Sequence, residues 1–118
     1  MAQRAYAPTT APTRTARSAE YDVIAKVTFR LKSALERKSF PQIAEALHEN
    51  RVLWTALASD VAGEANQLPA ELRARIFYLA EFTLHHTSKV LAKQASAAPL
   101  LEINSAILRG LRQTGAPS

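Results

Sequence analysis

The sequence predicts an all-α fold: a four-helix antiparallel bundle-like domain behind a disordered N-terminal arm. Apolar residues recur at spacings of three and four through four successive segments. The connections between those segments are short and marked by Pro or Gly, which favours antiparallel neighbours. β-Branched residues are scattered and no hairpin-turn dipeptide occurs, so no strand pattern competes. The helical domain is read over residues 17–113, with the arm at 1–16 and a frayed tail at 114–118.

The opening stretch MAQRAYAPTTAPTR is rich in Ala, Thr and Pro and reads as disordered. Ser18 is the expected N-cap of the first helix, with Glu20 and Asp22 in a first turn where the helix dipole favours negative charge. Tyr21, Ile24, Thr28, Leu31 and Leu35 then form a narrow seam of the coiled-coil type. Arg37 and Lys38 suit its C-terminal end. Ser39 and Gln42 have capping-box spacing, and Pro41 falls in the first turn of the second helix, where its missing N–H is harmless. That helix carries Ile43, Leu47, Trp54, Leu57 and Val61, with Leu53 alongside, and Gly63 is the expected left-handed cap. Asn66 to Pro69 is a turn, and the third helix runs from Pro69 to about Gln94, roughly 39 Å at 1.5 Å per residue. Pro99 opens the fourth, with Leu100, Ile103, Ile107 and Leu111 on one face and Leu101 and Leu108 beside it.

The third helix is the most informative. Leu72, Ile76, Leu79, Thr83, His86 and Val90 share one side, while Phe77, Leu84 and Leu91 make a second stripe and Tyr78 and Phe82 flank the first. A surface helix of a small domain needs one stripe. A helix with two is buried between neighbours or offers a face to a partner. The residues therefore describe a helical module that binds something helical, and the two-stripe helix is also compatible with homodimerisation. The stripe surplus selects Leu53, Trp54, Tyr78, Phe82, His85 and His86 as the candidate groove, rimmed by Arg75. A tryptophan on an inward stripe is more often core than anchor, so Trp54 carries both readings. Arg73, Arg75 and Arg109, taken singly, are surface charges whose stems cover apolar edges.

Composition excludes much else. A chain of 118 residues forms one domain able to bury its own core. No cysteine is present, which removes disulfides, thiol chemistry and cysteine-ligated zinc. The longest apolar run, Ile76 to Ala80, is far short of the roughly 20 residues that span a bilayer. No secretory core segment opens the chain, and a cytoplasmic location is expected. The net charge of +5 sits in the ends: Arg4, Arg14 and Arg17 within residues 1–17, Arg109 and Arg112 within residues 103–118, with basic and acidic residues balanced between. Nucleic-acid backbone binding needs massed cations, and the body has none. Glu45 and His48 have the spacing of a di-iron motif but stand alone, and read as a solvated face beside Arg51. His85 and His86 point about 100° apart and cannot share a metal ion. No nucleophile–base set and no glycine-rich phosphate loop occur, so neither an enzyme nor a cofactor is expected.

The segments AYA (Ala5 to Ala7), Arg17-Ser18-Ala19-Glu20-Tyr21, ALHENRVLWTALASDVA (Ala46 to Ala62), NQLPAELRARIFYLAEFTLHHTSKVL (Asn66 to Leu91) and LLEINSAILRGL (Leu100 to Leu111) together resemble the flagellar biosynthesis regulator FlaF family. One departure is visible: Ala92-Lys93 stands where the family commonly has a glycine after the Val-Leu pair, a change expected to lengthen the third helix. The resemblance implies a small, non-catalytic cytoplasmic protein needed for flagellin production and filament assembly. It implies a post-transcriptional activator and flagellin-binding secretion chaperone acting opposite or alongside the regulator FlbT. It supplies no catalytic or cofactor residues. Two other readings stay open: direct RNA binding at the flagellin leader, sustained by the basic arm, and a helical adaptor that binds FlbT.

Overall fold

The computed structural model describes residues 12–115, with side chains over 20–112. Four helices follow one another: α1 (Pro12–Arg37), α2 (Phe40–Ala62), α3 (Ala70–Leu91) and α4 (Ala98–Gly115). No strand occurs among the described residues. α2 and α3 share the broadest interface, α1 packs on both α2 and α4, and the α3–α4 seam is the thinnest. The arm expected over residues 1–16 falls mostly outside the described residues. Its last part does not: α1 begins at Pro12, so Ser18 lies inside the helix instead of capping it. After Pro12 the sequence holds no breaker, and proline is tolerated in a first turn. At the other end α4 reaches Gly115, slightly beyond the point where fraying was expected.

Two helix ends use lysine where glycine is usual. Lys38 takes φ 57° and Lys93 φ 61°, both left-handed. Lys93 N–H bonds the Val90 carbonyl at 2.9 Å and Gln94 N–H bonds Lys89 at 2.8 Å, the paired bonds of a Schellman cap. α3 therefore stops at Leu91, and Ala92-Lys93 ends the helix instead of lengthening it. The Lys93 ammonium then lies 4.7 Å from the centre of the Phe40 ring, a cation–π contact that helps hold the left-handed turn. Other caps differ from expectation. Ser39 is the N-cap of α2, but its side chain makes no capping bond. Gly63 is extended, at φ −79° and ψ 147°, with its N–H closed onto the Asp60 carbonyl. The chain turns instead at Asn66, whose Oδ1 accepts from Leu68 N–H and whose Nδ2 donates to Asp60, each at 3.0 Å.

The core falls into two apolar clusters. Ile24, Val27, Leu53, Trp54, Leu57, Val61, Leu68, Ile76, Ala80, Ile107 and Leu111 fill one end. Leu31, Ala34, Ala46, Leu47 and Leu100 fill the other. The early part of described α1 meets late α2, early α3 and late α4, the signature of an up-down-up-down bundle. Between the clusters lies a largely buried polar network drawn from α1, α2 and α4. Asn104 of α4 is its hub. Its Oδ1 accepts from Trp54 Nε1 at 2.9 Å, and its Nδ2 donates to Asn50 Oδ1 at 2.8 Å and to Thr28 Oγ1 at 3.0 Å. Indole N–H only donates, so the amide can face one way. Thr28 Oγ1 in turn donates a hydrogen bond to the Ile24 carbonyl at 2.6 Å.

α3 stands outside this network. Thr87 Oγ1 turns back onto the Thr83 carbonyl at 2.6 Å, and Thr83 Oγ1 is buried without a partner. The inward face of α3 is Ile76, Ala80, Thr83 and Thr87, mostly small residues. The expected inward stripe was larger, with Leu79, His86 and Val90; these are only half-buried, because the small residues let α3 lie close and rotate the larger ones to its flanks.

These features set three stability outcomes. Asn104→Ala leaves the indole N–H and the Asn50 amide oxygen buried without partners, and should cost about 3 kcal/mol in urea unfolding. Thr83→Val keeps the shape and removes the unpaired hydroxyl, so it should stabilise by about 1 kcal/mol. Lys38→Gly relieves the left-handed backbone and should raise stability by about 0.5–1 kcal/mol in the same assay.

Candidate functional site

The residues singled out from the sequence separate into two places. Trp54 has no exposed surface and is bonded to Asn104, so it belongs to the core and to no groove. Leu53, one residue earlier, is turned about 100° from it on the same helix and faces α1. There it lines a groove of about 330 Å³ with Val23, Ala56 and Leu57, bounded by Glu20 and Asp60. Neither residue meets the α3 aromatics on a common surface. The expected groove uniting these residues therefore does not form, since the indole lies in the core.

The other five lie together on α3. Arg75, Tyr78, Phe82 and His85 are exposed along one face, and His86 sits half-buried at its edge. Tyr78 is 68% exposed and Phe82 37%. The His86 ring stacks on Phe82 with centroids 5.2 Å apart and planes 16° from parallel. His86 Nε2 lies 2.7 Å from the Ser96 carbonyl oxygen, so it also ties the α3–α4 connection to this face. That fixes Phe82 from one side and leaves Tyr78 free. Phe77, 44% exposed, adds apolar surface on a neighbouring line of the helix.

The inward side of α3 explains why these rings are outside. Ala80, Thr83 and Thr87 bring its backbone close to the core, which leaves no room for a phenyl group there. The aromatic residues take the faces that remain. The result is a helical ridge with apolar rings at its centre and charged residues at its ends. Covering these rings contributes about 25 cal/mol for each Å² of apolar surface newly buried, before the cost of association is deducted. Such a face suits docking of an amphipathic helix or a matching helical ridge.

Other exposed apolar residues were not selected from the sequence. Phe29, 68% exposed, stands over a polar channel between α1 and α2 that holds Arg30, Arg37, Glu45 and Glu49. Arg30 pairs with Glu49 there at 3.3 Å. Phe29 is one residue off the core stripe of α1, and that offset was the available signal. Among the described residues no group of three or more His, Asp or Glu side chains is placed to hold a metal ion, and Glu45 and His48 are both exposed. Among those residues no helix is long and apolar enough to cross a membrane.

No curated protein and no solved structure matches the chain. The family model described as flagellar protein FlaF matches residues 2–111, ending at the last core leucine of α4. The chain therefore belongs to the flagellar protein FlaF family.

Proposed function

We propose that the chain acts by binding, without catalysing a reaction, and that its client is flagellin in the cytoplasm before export. The observation that carries this reading is the outward ridge of α3, where Tyr78 and Phe82 stay exposed although the core is complete without them. Membership of a flagellar family supplies the system. Flagellin's terminal regions are amphipathic helices that aggregate when unpartnered. A ridge of this kind covers such a helix through anchors at i, i+4 and i+7 or i+8, here Tyr78, Phe82 and the two histidines. Arg75 sits one turn away as a rim charge. By holding flagellin, the protein would couple its synthesis and secretion to filament assembly, the post-transcriptional role that the resemblance implies.

The test is co-purification of the full chain with flagellin, comparing wild type with Phe82→Asp. Binding should be lost in the variant while its circular dichroism stays near wild type, because Phe82 contributes little to either apolar cluster. Retained binding by a folded Phe82→Asp chain would remove this face from the reading. Salt separates the RNA alternative: apolar docking should hold or strengthen as salt rises, whereas phosphate binding falls steeply. Recovery of FlbT in place of flagellin would favour the adaptor role.

A further inference from the structure

The outward face of α3 has an order that a single exposed aromatic patch does not require. Glu71, Arg75, Tyr78, Phe82, His85 and Lys89 follow one another at spacings of 4, 3, 4, 3 and 4, and all six are exposed. This is a heptad seam. It lies about 150° around the helix from the inward line of Ile76, Ala80, Thr83 and Thr87, and so points straight into solvent. α3 therefore carries two 3-4 seams, one used by its own fold and one left over.

The six residues are also ordered symmetrically. Laid antiparallel against itself about a two-fold axis at the level of Ala80, the seam sets Tyr78 opposite Phe82, Arg75 opposite His85, and Glu71 opposite Lys89. The ring-on-ring and carboxylate-on-ammonium pairings are favourable, and the guanidinium lies against the imidazole between them. A parallel arrangement would instead place Glu71 on Glu71 and Lys89 on Lys89. A two-fold contact requires a self-complementary patch, and this face is one.

We propose that the outward seam of α3 pairs antiparallel with the same seam of a second copy of this chain. The pairing occupies the ridge assigned above to flagellin, and on that reading a bound client and the second copy exclude one another. The contact is small. From Glu71 to Lys89 it runs about 27 Å along a single helix, which places it at the low end of specific interfaces. Glu81 flanks the seam near the axis and faces its own symmetry mate, a local repulsion that keeps the association reversible.

Sedimentation equilibrium of the full chain alone, over a wide micromolar range, tests the pairing independently of flagellin. Wild type should show a concentration-dependent monomer–dimer equilibrium. Glu71→Lys and Lys89→Glu each place like charges across the contact at two symmetry-related points, and each should weaken the dimer about tenfold. The double variant Glu71→Lys/Lys89→Glu restores opposite charges and should return to within about twofold of wild type. Both positions lie on the solvent face, and circular dichroism verifies that each variant folds. A chain that stays monomeric throughout, or a double variant no tighter than the single ones, overturns the inference. Either result leaves the flagellin reading standing, since flagellin capture is measured separately.

Discussion

The arrangement of the bundle depends on one buried amide. Asn104 joins α4 to α2 through Trp54 and Asn50, and to α1 through Thr28, at the level where the two apolar clusters meet. Apolar packing alone tolerates slippage, because one leucine fits much like another a turn away. The amide does not. A shift of α4 by one turn, about 5.4 Å, would leave the indole N–H facing hydrocarbon. Buried polar groups of this kind add little to net stability but penalise wrong registers, as a single asparagine does in a coiled-coil seam. Here the penalty acts on three helices at once.

The fourth helix of the set is positioned by different means. α3 offers no side-chain hydrogen bond across the polar layer, and its inward face is made of small groups. Its position comes from close backbone approach to α2 and from the apolar residues at its two ends. Small residues inside force large ones outside, so the packing that seats α3 also produces the ridge of Tyr78 and Phe82. The exposed face is thus a consequence of how the core is built.

Helix number, order and connections were legible in the sequence because 3-4 periodicity and proline placement are local signals. Termini were less so. Ser18, Gly63 and the Ala92-Lys93 pair were read by residue preference, and in each the backbone chose otherwise. Lys93 adopts a glycine-like conformation with Phe40 beneath its ammonium, a contact supplied by a residue more than fifty positions away. The polar layer could have been found. The α2 stripe passes from Leu47 to Trp54 with Asn50 at the missing register, and Asn104 lies beside Ile103 on the α4 face. Apolar periodicity discards such residues because it counts only hydrocarbon. The candidate face was half legible: exposure of Tyr78 and Phe82 follows from surplus. That Leu53 and Trp54 belong to other surroundings depends on which neighbour each side of α2 meets.

A face proposed for docking must also survive when nothing is docked. On α3 the aromatic centre is bracketed by Glu71 and Arg75 at one end and His85 and Lys89 at the other, so the ridge stays hydrated at its margins while its middle remains apolar. This limits the apolar area to two or three rings, well below what a permanent interface buries. Affinity then depends on rigidity, because rings that are already held lose little freedom on binding. The His86 stack on Phe82, tied through Ser96 to the α3–α4 connection, supplies that rigidity at one end of the ridge. Tyr78 has no such support, so it is the ring that can adapt to the shape of whatever helix lies against it.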